Sequence, residues 1–122
     1  MISTATALQT FFSGFGIPAY VVNTIPEEAE LPYLTYPLVD PEWNSPASFY
    51  AQVYYRHKTR NGPALQKADE IVRAIGEGVT IPCNGGYVTI RPQTPLIQPL
   101  VDGDIRSAYI NLQINAYHMP GM

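Results

Sequence analysis

The sequence predicts an α+β domain, in which a mostly antiparallel sheet has two helices packed on one face. Three observations lead to this prediction. Residues 108–116 alternate apolar and polar side chains without a break, which is typical of a long strand with one buried face. Residues 63–75 carry apolar side chains at helical spacing, and Pro63 stands in the first turn. Asn84-Gly85 separates two short apolar runs, which is the pattern of a tight β-hairpin.

The remaining elements follow in chain order. A short helix is expected to reach Phe12 and to end at Gly14-Phe15-Gly16. Extended segments are expected at residues 20–22 and 33–39, and Pro37 confines the second of them to an edge or a bulge. Residues 48–56 alternate again and predict a further strand. Residues 92–103 hold three prolines and show no periodicity, so they are predicted to form a long loop that is mobile in the free protomer.

Length and composition predict a single domain over residues 1–122 with an unusual surface. Charged residues make up 14% of the chain, well below the roughly 25% typical of globular domains. Nine tyrosines and twelve prolines occupy part of the difference. Two interpretations remain equally open at this point: a surface that is covered in an assembly, and a monomer with a mildly polar surface.

Charge, cysteine content and hydropathy exclude several classes of protein. A net charge of −3 argues against nucleic-acid specificity, which needs clustered Lys and Arg. The single cysteine, Cys83, leaves no internal disulfide and no thiolate-rich metal site. No apolar run approaches the roughly 20 residues of a membrane span, and no basic segment precedes the first apolar residues as in a signal peptide. We therefore expect assembly in a reducing cytosol and no membrane partner.

Candidate catalytic groups do not assemble into a site. His57 and His118 lack other ligand types at metal spacing, so they are interpreted as strand-end or surface histidines. No set of nucleophile, base and oxyanion donor can be composed, and we predict no enzyme activity, no cofactor and no metal. Asp102 and Asp104 flank Gly103 close to Arg106. This segment is interpreted as a turn with a local Asp–Arg pair; a bound cation or a basic group of a neighbouring subunit is the alternative.

The ordered set of features resembles a known family. A tyrosine-rich strand leads into a helix reading ADEIVRAIG at residues 68–76, and a hairpin ends in VTIRP at residues 88–92. A segment reading PLIQPL at residues 95–100 and the stretch DGDIRSAYIN at residues 102–111 follow. In this order they resemble the tail terminator group, the minor tail or tail-completion proteins of long-tailed bacteriophages. The resemblance covers residues 30 to 118.

The resemblance implies a structural protein of a phage or prophage virion, assembled in the host cytoplasm and located in the viral tail. It implies a homo-oligomeric ring, commonly a hexamer, at the capsid-proximal end of the tail tube. The ring would end tube growth and provide the head-tail joining surface, so the implied partners are the chain itself, the tail-tube protein and a neck or head-completion protein. The candidate contacts are Leu96, Ile97, Leu100, Val101, Asp102, Asp104, Arg106, Tyr109, Asn111 and Gln113.

Two alternatives to a tail terminator stay open at this stage. The first is a phage neck or head-closure protein of similar size, which belongs to the same virion class. The second is a cytosolic small-ligand binding domain that uses the face of its sheet as a pocket. Solution mass distinguishes a ring from a monomer with a ligand-sized pocket.

Overall fold

The computed structural model describes residues 4–39 and 45–118, and within them the chain forms an α+β domain dominated by one sheet. The elements are α1 (Thr4–Phe12), a 3-10 turn (Ser13–Phe15), β1 (Ala19–Val21), β2 (Tyr33–Tyr36), β3 (Ala47–Arg56), α2 (Gly62–Ile75), β4 (Val79–Cys83), β5 (Gly86–Asp102) and β6 (Ile105–His118). The strands lie in the order β1-β2-β3-β6-β5-β4. β1 and β2 are parallel and every other neighbouring pair is antiparallel, which confirms the predicted sheet class.

Strand β6 is the centre of the sheet. It pairs with β3 on one side and with β5 on the other. Its even-numbered residues from 108 to 116 form one buried row: Ala108, Ile110, Leu112, Ile114 and Ala116. Phe49, Ala51 and Val53 of β3 lie opposite members of this row and are buried with it. The predicted orientation of both strands is therefore confirmed.

Helix α2 packs on β3, β5 and β6. Its buried side chains are Ala64, Ala68, Ile71 and Ile75, and the two alanines allow a close approach to the sheet. Pro63 lies in the first turn, where its missing N–H removes no helical hydrogen bond. The helix ends at Gly76, which adopts a φ of 58° and donates its N–H to the Val72 carbonyl at 2.9 Å.

Helix α1 is held by aromatic contacts. Phe12 is fully buried, stacks on Tyr36 with ring centroids 4.9 Å apart and meets the edge of Phe49 at 6.5 Å. α1 contacts both β1 and β4, the two edge strands of the sheet. A single short helix can contact both edges only if the sheet between them is curled, and this curvature follows the usual twist of a sheet.

The predicted mobile loop at residues 92–103 is wrong, because strand β5 continues to Asp102. Between Pro92 and Ile97 the strand advances five residues while its partner β6 advances two, from Leu112 to Ile110, so β5 contains a bulge. β4 pairs with β5 only as far as Ile90. The later part of β5 is therefore an edge strand, where proline is tolerated because no further strand needs its N–H.

Other predicted boundaries shift by a few residues. β2 ends at Tyr36, directly before Pro37, where prediction had extended the segment to residue 39. The predicted hairpin is confirmed, with Gly85 at a φ of 80° in its turn. Residues 40–46 contain two prolines and predict an irregular connection, of which residues 40–44 lie outside the described residues. None of the described helices combines the length and the apolarity that crossing a membrane requires.

Candidate subunit and partner surface

The sheet face opposite the buried row is rich in tyrosine, and we call it the tyrosine face. Strand register places seven of the nine tyrosines of the chain on it: Tyr20, Tyr33, Tyr50, Tyr54, Tyr87, Tyr109 and Tyr117. Tyr36 instead lies in the core, and Tyr55 packs against it. Tyrosine offers a large, stiff contact area with a polar end, which is why it is enriched at protein interfaces.

The rings of the tyrosine face touch one another in small groups. Tyr33 lies between Tyr20 and Tyr54, with centroid distances of 5.6 and 5.2 Å. Tyr50 meets the edge of Tyr109 at 4.9 Å. These contacts restrict the ring rotamers before any partner arrives, so less conformational entropy is lost on binding.

Hydrogen bonds connect Tyr54, Gln52 and Ser107 on the tyrosine face. The Tyr54 hydroxyl donates to Gln52 Oε1 at 2.6 Å, and Gln52 Nε2 donates to Ser107 Oγ at 3.0 Å. Gln52 is only 7% exposed. Burial raises the pKa of Tyr54 above its ordinary value. Uncharged hydrogen bonds therefore hold these three side chains in place.

A groove of about 580 Å³ opens at one end of the tyrosine face. The residues that line it include Tyr33, Tyr54, Arg56, Leu100 and Ser107. The volume falls within the range of small-molecule sites. The groove is therefore large enough to bind a small molecule, as the ligand-binding interpretation requires.

The four aliphatic candidates at residues 96–101 do not act as one group. Ile97 packs against the hydrophobic core, and Leu96 is half-buried. Leu100 and Val101 are 44% and 50% exposed, and they lie in β5 just before the turn into β6. Leu100 pairs with Ser107 and lies on the tyrosine face, whereas Val101 pairs with Arg106 and lies on the opposite face. The two exposed side chains therefore do not form one apolar patch.

The expected ion pair between Asp104 and Arg106 is not formed. Asp104 instead accepts a hydrogen bond at 2.7 Å from Arg56 of the neighbouring strand, and this guanidinium lowers the pKa of the Asp104 carboxyl. Arg106 donates to the carbonyls of His57 and Lys58 at 3.1 and 2.7 Å. The difference arises because β3 and β6 are paired, a relation that residue spacing alone does not reveal. Asp102 lies at the end of β5, and the described residues contain no cluster of acidic, His or Cys side chains able to hold a metal.

Replacing Arg106 with Lys should loosen the turn after β3. Arg106 uses three nitrogens on three acceptors, the third being Asn61 Oδ1 at 3.5 Å, and a single ammonium cannot reproduce that fork. We expect a loss of about 1 kcal/mol of stability and faster amide hydrogen exchange at residues 57–61. The exposed Arg91→Lys change is the control and should leave both quantities unchanged. Equal exchange in the two variants would show that Arg106 does not hold the turn.

Asn111 and its neighbours occupy the centre of the tyrosine face. Tyr109 and Gln113 are half-buried there. The Asn111 side chain donates to the Pro95 carbonyl at 2.5 Å and to Gln98 Oε1 at 3.1 Å. Asn111 therefore anchors the bulge of β5 rather than offering a free amide to a partner. The side chain of His118 lies outside the described part of the structure.

A second concave surface was not predicted from the sequence. A mostly apolar groove of about 290 Å³ is lined by Val22, Pro37, Val39, Ser48, Phe49 and Tyr50, and we call it the apolar groove. Leu38, at 60% exposure, stands beside two of these residues in the chain. Three separate segments form the groove, so no local pattern in the sequence predicts it.

Comparisons with known proteins establish the fold of the chain and leave its family undetermined. A comparison with family models gives no match, and a comparison with curated proteins gives none. Eight solved chains match the structure. One of them, whose name describes no function, aligns with a TM-score of 0.68 and a sequence identity of 18%. The alignment covers 94% of this chain and 94% of the other. At this level of identity the similarity shows a shared fold and nothing more.

Proposed function

We propose that the protein is a structural component of a bacteriophage or prophage virion, acting as a tail terminator. In this proposal it forms a homo-oligomeric ring, a hexamer, at the capsid-proximal end of the tail tube. The ring ends tube growth and gives the neck or head-completion protein a surface to join. The observation that carries the proposal is the tyrosine face, supported by the resemblance of residues 30 to 118 to tail terminators.

The distribution of charge supports an interaction through the tyrosine face. The exposed side of α2 carries ion pairs, with Arg73 on Asp69 at 2.8 Å and Lys67 on Glu70 at 3.1 Å. The central rows of the tyrosine face instead offer phenols, amides and hydroxyls. Burying these groups against a partner exchanges hydrogen bonds without desolvating a full charge, which is much less costly.

A closed ring also requires two different complementary surfaces on each protomer. The tyrosine face is one large surface, and the apolar groove beside Tyr50 is a smaller one. We further propose that both helices cover the sheet face opposite the tyrosine face, as the contacts of α2 with β3, β5 and β6 support. That arrangement leaves the tyrosine face free for the tail tube.

A neck or head-closure role rests on the same surface and differs only in the partner. A small-ligand binding domain is the second candidate, and the groove of about 580 Å³ beside Tyr33 and Tyr54 is the observation that favours it. Its walls are hydrophobic only in part, since Glu30, Arg56 and Asp102 also line it. We favour the assembly role because the tyrosine face extends far beyond this groove.

Association with the tail-tube protein tests the proposal. The Tyr109→Glu variant places a charge at the centre of the tyrosine face without entering the core. We expect the wild-type chain to bind the end of tail tubes and to form rings there, and we expect Tyr109→Glu to remain free. Light scattering at high protein concentration, with and without tail-tube protein, measures this.

The matched control for this experiment is Gln66→Glu, which adds the same charge on the exposed side of α2. It should bind as the wild type does, and a thermal melt should show that both variants are folded. A wild-type chain that stays monomeric with tail-tube protein and binds a specific small molecule would contradict the proposal and favour the ligand-binding domain.

A further inference from the structure

The groove of about 580 Å³ at one end of the tyrosine face carries unpaired negative charge, and we call it the polar groove. Glu30 and Asp102 line it, and within the described part of the chain neither carboxylate takes part in an ion pair or a hydrogen bond. Arg56 also lines the groove, but its guanidinium is held by Asp104 at 2.7 Å. The charge available to a ligand is therefore that of the two free carboxylates.

Two tyrosine rings line the same groove as these carboxylates. Tyr33 and Tyr54 touch each other there, with ring centroids 5.2 Å apart and ring planes tilted by 44°. The electron-rich face of an aromatic ring attracts ammonium and guanidinium groups. Aromatic rings together with unpaired carboxylates favour an organic cation over a neutral or anionic ligand.

The polar groove also contains a buried hydroxyl group with an unused donor. Ser107 lines the groove and is only 3% exposed. Its Oγ accepts a hydrogen bond from Gln52 Nε2 at 3.0 Å, and none of the residues that the structure describes accepts its hydrogen. A buried donor without an acceptor is costly, so a ligand that brings a carbonyl oxygen gains a hydrogen bond here. A residue with a cationic side chain and a backbone carbonyl supplies both groups.

A metal ion and an anion are both poor alternatives as occupants. Calcium takes about six to eight oxygen ligands, whereas the described residues contain no group of three acidic, His or Cys side chains placed to hold a metal. A phosphate or carboxylate ligand would meet the free charges of Glu30 and Asp102, and Arg56 is already engaged by Asp104. The polar groove therefore selects an organic cation.

We propose that the polar groove binds a lysine or arginine side chain of the protein that docks on the tyrosine face. The inference rests on the proposed function and names the chemistry of the partner at this end of the face. The cationic group is held by the carboxylates of Glu30 and Asp102 and by the rings of Tyr33 and Tyr54. A carbonyl of the same partner segment accepts a hydrogen bond from Ser107.

NMR titration with a charged probe and its neutral isostere tests this site. The isotope-labelled chain is titrated with Nα-acetylarginine amide and, separately, with Nα-acetylcitrulline amide, which has nearly the same shape without the charge. We expect the arginine probe to shift the amide resonances of residues 30–33 and 102–107. It should bind about tenfold more tightly than the citrulline probe, because hydrogen bonds to charged groups are stronger than those between neutral groups.

A double variant and a matched control identify the groups that recognise the charge. Glu30→Gln combined with Asp102→Asn removes both free carboxylates and should abolish the preference for the arginine probe. Glu27→Gln combined with Glu28→Gln removes two charges from the loop that contains Glu30, at exposed positions outside the groove lining, and should keep the preference. Thermal melts should show that both double variants are folded.

Equal affinity for the two probes would overturn the cation site. So would an arginine preference that survives the Glu30→Gln, Asp102→Asn changes, or resonance shifts confined to other parts of the chain. Each of these outcomes would show that the free carboxylates do not select a cation.

Light scattering with tail-tube protein separates this inference from the proposed function. We expect the Glu30→Gln, Asp102→Asn variant to associate with tail tubes more weakly than the wild type. Rings that form equally well with this variant would refute the docking of a partner side chain and leave the tail role intact. Selective arginine binding by a wild-type chain that does not associate with tail tubes would refute the tail role and leave the cation site intact.

Discussion

Replacing Leu112 with Asp is expected to unfold the protomer. Leu112 is fully buried on the central strand, with Phe49 on one neighbouring strand and Pro92 on the other. A carboxylate at this position has no partner and costs several kcal/mol, comparable with the roughly 5 to 15 kcal/mol by which a whole domain is stable. Circular dichroism during a thermal melt should show loss of the cooperative transition.

The adjacent Gln113→Glu variant is the matched control for this prediction. The variant adds the same charge one residue further along, at a half-buried position on the tyrosine face. It should melt close to the wild type, because water can solvate the new carboxylate. Equal stability of the two variants would contradict the assignment of the buried face of β6.

Replacing Phe12 with Ala should destabilise the domain by about 3 to 5 kcal/mol, the usual range for a large aromatic side chain in a core. Phe12 joins α1 to the sheet through its stacking on Tyr36 and its edge contact with Phe49. The truncation removes both contacts and leaves a cavity at the C-terminal end of α1. Urea denaturation followed by circular dichroism measures the loss in free energy of unfolding.

Thr10→Ala is the control on the same helix. Thr10 is exposed, and alanine has the higher helix propensity, so this change should leave stability unchanged or raise it slightly. If Phe12→Ala cost no more than Thr10→Ala, α1 would be a loosely attached segment. The curled arrangement that lets α1 contact both sheet edges would then be wrong.

Local patterns in the sequence predicted the elements whose burial is periodic. The alternation of residues 108–116 identified β6 and its buried side, because a strand between two others must keep one face apolar. The spacing of Ala68, Ile71 and Ile75 identified α2 in the same way. Asn84-Gly85 identified the hairpin between β4 and β5, since glycine readily accepts the positive φ of 80° that Gly85 adopts in the turn.

The extension of β5 could not be predicted from its own residues. Pro92, Pro95 and Pro99 argue against a strand unless it is known that β4 ends its pairing at Ile90 and leaves β5 as an edge. That fact belongs to the tertiary structure. The bulge and its anchor at Asn111 are hidden for the same reason, because the Asn111 side chain reaches residues more than ten positions away.

The candidate surface was predicted in part. Alternation in residues 48–56 and 108–116 placed Tyr50, Tyr54 and Tyr109 on a common polar side before the pairing of the strands was known. Tyr20 and Tyr87 can be assigned to the same side only once the order of the strands is known. The apolar groove stayed unpredicted, since it combines residues near positions 22, 38 and 49.

The length of tail tubes made without this protein tests the central claim most directly. Electron micrographs would compare particles of the phage or prophage encoding the chain with those of a strain that lacks it. We predict tubes of irregular and excessive length that carry no heads, and restoration of uniform, joined tails when the wild-type chain is supplied. Tubes of normal length joined to filled heads in the absence of the protein would contradict a tail terminator.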